Sequence, residues 1–173
     1  MIGTANLLEA VRHAGSVRVV VNVTSDKCYE NREWEYSYRE NDAMGGRDPY
    51  SASKGCAELI FSSFARSFFG GASAGRPVVV TARAGNVIGG GDWAKDRIVV
   101  DCVKAWGKKE PVILRNPQAT RPWQHVLDCL SGYLLLGAKA AGDAKRFTGE
   151  GFNFGPAHGH GATVMELVSE LAK

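Results

Sequence analysis

Apolar residues recur at Ala5, Leu8 and Val11, with Leu7 alongside, in a segment that Gly15 closes, and this spacing predicts a helix over residues 4–14. The period then changes. From Val17 to Val23 the chain is rich in β-branched residues, with an unbroken apolar run at Val19 to Val21, which predicts a strand buried on both faces as in a parallel sheet. Residues 24–47 are polar, aromatic and turn-rich, and predict a long loop of the kind that carries function in compact domains. Asp48-Pro49 offers a capping acceptor followed by a ring tolerated at the first helical position, so a helix starts there, runs to about Phe69 and stops at Gly70-Gly71. Pro77 to Arg83 predicts a second buried strand, followed by a glycine-rich loop from Gly85 to Trp93.

The remaining pattern predicts a helix over about 95–106, a short strand at Val112-Ile113-Leu114, a loop to 124 and a helix over about 126–141. The apolar stripe Val126, Leu130, Leu134 is the expected core face of that last helix. A short strand at Phe152-Asn153-Phe154 and a helix from Val164 follow. Strands alternate with helices, so the expected class is α/β with a parallel sheet. The chain opens on a helix with no Gly-x-Gly-x-x-Gly before it. If the fold binds a dinucleotide, its phosphate-binding first half is missing and the sequence is expected to be a fragment.

Composition narrows the classes further. The 173 residues are 45% hydrophobic and 23% charged, which fits a globular body with a real core. The net charge is +3, with no block of like charges, so nucleic acid is not an expected partner. No run reaches the ~18 apolar residues of a membrane span, and the amphipathic N-terminus lacks the layout of a signal peptide, so neither a membrane nor secretion is expected. The expected compartment is the cytoplasm. Cys28, Cys56, Cys102 and Cys129 show no Cys-x-x-Cys, so free thiols are expected. His158 and His160 lie in a glycine-rich stretch with no carboxylate or Cys beside them, which favours a surface turn over a metal site. No metal is expected.

The candidate chemistry lies at two places. Tyr50 and Lys54 stand four residues apart near a helix start, on one face. In isolation such a pair is weak, since chance alone gives about 0.3 per chain of this composition. Its context strengthens it, because Thr24-Ser25-Asp26-Lys27 directly follows a strand, where open α/β sheets place ligands. An ammonium near a phenol favours the phenolate, which lets a Tyr act as a base near neutrality.

These residues resemble the extended short-chain dehydrogenase/reductase family of nucleotide-sugar enzymes. Four blocks, NVTSDKCYENREW, YRENDAMGGRDPYSASKGCAEL, ARAGNVIGGGDWAKDRIVVDC and VILRNPQATRPWQHVLDCLSGYLLL, are similar to the CDP-glucose 4,6-dehydratase branch. Lys27 stands where the dTDP-glucose type usually carries Glu. The resemblance implies the later part of a Rossmann-like parallel sheet with interleaved substrate-binding segments. It assigns residues 1–88 and 124–156 to the NAD-binding part, 89–123 to substrate binding and 157–173 to the start of a C-terminal substrate segment.

The resemblance also implies roles. Tyr50 would take the proton of the sugar 4-hydroxyl, Lys54 would lower the Tyr50 pKa and hold the nicotinamide ribose, and Ser25 would hold the reacting oxygen. Lys27 and Asp26 would be base and acid for expelling water across C5 and C6. NAD is the implied cofactor, bound weakly by these residues alone for want of the glycine-rich turn. A nucleotide sugar is the implied substrate and a homo-oligomer the implied full-length assembly. Asn86 and Arg121 would address the nucleotide diphosphate. Arg97 and Arg115 could equally be substrate ligands or surface residues, and Trp93 and Trp123 pocket walls or core. Two other readings stay open, namely an epimerase or decarboxylase of the same fold, and an inert fragment that binds sugar nucleotide or a partner.

Overall fold

The computed structural model describes residues 1–70, 75–157 and 161–173, so His158 and His160 lie outside the described residues. Two units emerge, one from Met1–Ala84 and Leu130–Phe154, the other from Gly85–Cys129 and Gly155–Lys173.

The first unit is built on three parallel strands, β1 (Val19–Val23), β2 (Val78–Ala84) and β6 (Gly151–Phe154), in the order β1-β2-β6. The register pairs Val19 with Val78 and Val23 with Ala82, and then Thr81 with Gly151. Side chains alternate across the pleat and so sort into two cores. Val79 and Val20 point toward Leu8, Val11, Phe61, Ala65 and Phe69 of the preceding helices. These helices are α1 (Ile2–His13) and α2 (Pro49–Phe64), the latter continued by a wider turn over Ala65–Phe69 to Gly70. Val78, Val80, Val19 and Val21 point the other way, toward Tyr133, Leu136 and Ala140 of α4 (Val126–Gly142). α5 (Ala144–Phe147) then leads into β6.

Only β2 is buried along its whole length. β1 was expected to be buried on both faces, but it is half-buried and Val23 is 50% exposed. The reason is position, because β1 lies at the edge of this sheet and β2 at its centre.

The buried face of α4 also differs from expectation. Leu130 and Leu134 are 47% and 78% exposed, while Tyr133, Leu136 and Ala140 carry the packing. The helical period is kept, but the face is turned by one to two positions. The sheet selects the side on which glycine permits close approach. A Cβ at Gly132 would lie 2.5 Å from the Phe154 ring, and one at Gly137 would lie 3.6 Å from Val21. Tyr133 also meets Phe154 edge to face at 5.1 Å.

The second unit has shorter elements. β3 (Val87–Ile88) runs parallel to β5 (Gln124–His125), and β4 (Thr120–Arg121) pairs antiparallel with β7 (Ala162–Thr163). α3 (Ile98–Gly107) and α6 (Val164–Leu171) complete it, with Thr163 and Glu166 forming a reciprocal capping box at the start of α6. Val112-Ile113-Leu114 is not a strand, and Ile113 is 89% exposed. Its composition suits a strand, but no described strand pairs with it, and β propensity without a neighbour has nothing to stabilise. Trp93 is 63% exposed and thus no core residue, whereas Trp123 is half-buried with its indole N–H on Ala162 O at 3.1 Å.

All four cysteines are free. Among the described residues no helix is long and apolar enough to cross a membrane, and no group of side chains suits a metal ion.

Candidate active site

The site grows from the end of β1. The Thr24 amide donates to Ala82 O at 2.8 Å, extending the strand pairing by one residue, and the chain then tightens into a 3-10 turn over Asp26–Cys28. Ser25 starts that turn as its cap, accepting from the Lys27 amide at 3.2 Å. Its hydroxyl donates to Asp26 Oδ1 at 3.1 Å, and Lys27 Nζ stands 3.6 Å from Asp26 Oδ2. Three consecutive side chains are thereby linked through one carboxylate. Ser25 is buried, while Asp26 and Lys27 are partly open at 31% and 44% exposure. Cys28, next in line, is no nucleophile here, since burial pushes its thiol up to about 12.

The second half of the site is the start of α2. Asp48 accepts from the amides of Tyr50 and Ser51 and from the Ser51 hydroxyl, and Pro49 occupies the first turn. The Ser51 bonds hold the Asp48 carboxyl below its usual range. So fixed, the helix presents Tyr50 outward at 57% exposure, with Lys54 Nζ 5.4 Å from the centre of its ring. That is within the range at which a cation interacts with an aromatic face.

Glycine packing joins the two halves. The returning arm of the long loop passes between the turn and the helix, with Gly45 N donating to Cys28 O at 2.9 Å. A Cβ on Gly46 would lie 2.2 Å from Ala52 N, and one on Gly55 would lie 3.0 Å from Gly45 O and 3.3 Å from Cys28 O. Backbone meets backbone at all three places. Ser25, Asp26, Lys27, Tyr50 and Lys54 thus belong to one unit, on two elements in direct layered contact.

A buried polar network, unanticipated from the sequence, lies beneath them. Glu58 and Arg83 form an ion pair at 2.8 Å with side chains 2% and 7% exposed. Burial alone would lower the Arg83 pKa, but the hydrogen bonds and charge of Glu58, aided by Tyr29, reverse this and leave it raised. Thr81 and Thr24 donate hydroxyls to Glu58 Oε1. Arg83 also donates to Tyr29 Oη at 2.7 Å, and Tyr29 donates to Asn153 Oδ1 at 2.7 Å, which pins the long loop to β2 and β6. A cavity of about 300 Å³ lies against this network, lined in part by Glu40, Glu58, Arg66, Arg83 and Glu150, and it holds none of the expected site residues. The only signal in the sequence was Glu58 standing four residues after Lys54.

The other expected residues fall in the second unit. Asn86 is half-buried and its carbonyl accepts from Gln124 N at 3.0 Å. Arg121 is half-buried and donates to Thr120 O at 2.8 Å. Arg97 pairs with Asp92 at 3.0 Å and Arg115 with Asp96 at 2.5 Å, with side chains 62% and 85% exposed.

The sequence profile of the family described as GDP-mannose 4,6 dehydratase matches residues 1–159. The chain belongs to this family. One relative, CDP-glucose 4,6-dehydratase of Salmonella typhimurium, is 50% identical over 173 residues, covering 99% of this chain and 48% of the relative. The chain therefore spans about half the length of that curated relative. Among solved structures, dTDP-glucose 4,6-dehydratase from Bacillus anthracis in complex with NAD superposes with a TM-score of 0.80 at 22% identity, over 99% of this chain and 50% of that one. MoeE5 in complex with UDP-glucose and NAD gives 0.78 at 27% identity, over 99% and 52%. These likenesses place the α/β fold of the GDP-mannose 4,6 dehydratase family member described here among Rossmann-like proteins.

Proposed function

We propose that this chain carries the catalytic residues of an NAD-dependent CDP-glucose 4,6-dehydratase, which converts CDP-glucose to CDP-4-keto-6-deoxyglucose. The observation that carries the reading is the linked Ser25, Asp26 and Lys27 turn packed beside the open Tyr50–Lys54 pair. The identity to the Salmonella enzyme supports the nucleotide. A phenol and an ammonium on one helix face suit the hydroxyls of a nicotinamide ribose, so the residues present fit NAD. When bound, NAD+ would supply a hydride acceptor for C4 and return the hydride to C6.

The chain's own residues do the proton work. Tyr50, with Lys54 Nζ 5.4 Å from the centre of its ring, takes the 4-hydroxyl proton, and Ser25 Oγ holds that oxygen. The resulting ketone acidifies the C5 proton. Removing it needs a neutral amine, and expelling the 6-hydroxyl as water needs a protonated acid. Moving one proton from Lys27 Nζ to Asp26 Oδ2 produces both at once, with no change in net charge. Lys27 then takes the C5 proton and Asp26 gives its own to the leaving oxygen. Once C6 has regained its hydride, Lys27 gives the proton back to C5, and the proton that Tyr50 took from the 4-hydroxyl, relayed through solvent, restores the charges of the resting pair. An enzyme that only inverts C4 needs neither step, so the pair speaks against an epimerase.

Residues 1–88 and 124–156 take the NAD-binding role in this reading, and 89–123 and 157–173 the substrate-binding role. Asn86 and Arg121 address the nucleotide diphosphate. Arg97 and Arg115 would first have to leave Asp92 and Asp96. A cytoplasmic, homo-oligomeric enzyme completes the proposal. The test is product analysis of the chain, extended to the length of its relatives, with CDP-glucose and NAD+. A product lighter by one water supports the reading, and an epimer of unchanged mass overturns it.

A further inference from the structure

Thr24 is the last residue before the Ser25-Asp26-Lys27 turn, and its hydroxyl donates to Glu58 Oε1. Glu58 lies four residues beyond Lys54 and eight beyond Tyr50, on the same side of α2. Its carboxylate cannot drift. Thr81 Oγ1 holds Oε1 at 2.8 Å and Arg83 holds Oε2 at 2.8 Å, both from the central strand. Of the side chains bonded to Glu58, Thr24 alone stands next to the turn.

We infer that Thr24 is a positioning residue, whose hydroxyl bond to Glu58 fixes the acid-base turn against the helix that carries Tyr50 and Lys54. The catalytic consequence rests on the function proposed above, whereas the structural claim stands on the bond itself. Its physical basis is that the ladder with β2 ends at the Thr24 amide, so the turn beyond it needs a contact outside the strand pairing to keep a fixed place. A valine at this position would fill the same volume and lose the anchor. Misplacing reacting groups by about 1 Å costs on the order of 10²-fold in rate.

Thr81 provides a control for the Glu58 side, because its hydroxyl lies 2.8 Å from Glu58 Oε1 and 3.0 Å from Asn22 O of β1, and Thr81→Val removes both while Arg83 still holds Glu58 Oε2 and Thr24 keeps its own bond. Amide hydrogen exchange on the 173-residue chain reads the anchor without any turnover. Thr24→Val should speed exchange at the Lys27 and Cys28 amides roughly three- to tenfold, the worth of one net hydrogen bond. Thr24→Ser and Thr81→Val should leave both amides at the parental rate. Unchanged exchange in Thr24→Val, or equal acceleration in Thr81→Val, overturns the inference.

In the chain extended to its relatives' length, Thr24→Val should lower kcat for CDP-glucose about 10- to 100-fold with KM little changed. Thr24→Ser should restore it, and Thr81→Val should keep it. If the parent turns over CDP-glucose and Thr24→Val keeps its kcat, the positioning role is overturned. If the exchange pattern holds but the parent shows no dehydration, the proposed function falls while the anchoring of the turn stands.

Discussion

Glu58 on α2 and Arg83 on β2 meet at 2.8 Å inside the first unit, with almost no exposed side-chain surface on either. The pair ties a helix to the centre of the sheet, and through Thr24 and Tyr29 it reaches both ends of the Asp26–Cys28 turn. Removing one partner strands a buried charge, which costs far more than the pair contributes. Glu58→Ala should therefore destabilise the chain by about 3–5 kcal/mol, read as a lower urea midpoint. A double replacement with Glu58→Leu and Arg83→Met should recover much of that loss.

Tyr50 is exposed, so Tyr50→Phe removes a hydroxyl at little cost to folding. In the chain extended to its relatives' length, the oxidation at C4 should fall by about 10² to 10⁴, the worth of a general base. Near-normal formation of reduced cofactor in a single turnover would assign the proton to another group.

Lys27 separates the two halves of the reaction. The Asp26–Lys27 pair is partly exposed, so Lys27→Met should change stability by no more than about 1 kcal/mol. With CDP-glucose, reduced cofactor should form and persist while water loss stalls, and Tyr50→Phe should show no such accumulation. Loss of the first oxidation in Lys27→Met, with normal elimination from a preformed 4-ketone, would move Lys27 from base to binding residue.

The layered glycines predict a contrast between two alanine substitutions. Gly46→Ala forces a Cβ to within 2.2 Å of Ala52 N, backbone that cannot yield without shifting α2. A loss of about 1–3 kcal/mol is expected in chemical denaturation. Gly15→Ala meets nothing within 4 Å and serves as the neutral reference.

Stability at high pH should follow the buried thiol. Burial raises Cys28 in the folded chain to about 12, above the value a free thiol has when unfolded. Its contribution is fully present below the unfolded pKa of about 8.5 and is lost as pH rises toward 12, because only the unfolded chain can ionise there. Cys102 is raised by burial in the same direction. Denaturation midpoints should fall between these pH values, and Cys28→Ala should flatten the slope.

The sequence by itself determined the elements whose causes are local. Asp48-Pro49 starts α2 because a carboxylate and a ring satisfy the first turn wherever that turn lies, and the valine runs form β1 and β2 because adjacent β-branched residues favour extended backbone. Tyr50 and Lys54 were legible for the same reason, since four residues of helix fix their proximity. Tertiary structure alone decided what depends on neighbours distant in sequence. Which face of α4 is buried was set by Gly132 beneath Phe154, and whether residues 112–114 pair was set by the absence of a described strand beside them. The partnership of Glu58 with Arg83 spans 25 positions and two kinds of element, so no periodicity encodes it. Only packing the helix onto the central strand excludes water from both charges and makes each the other's requirement.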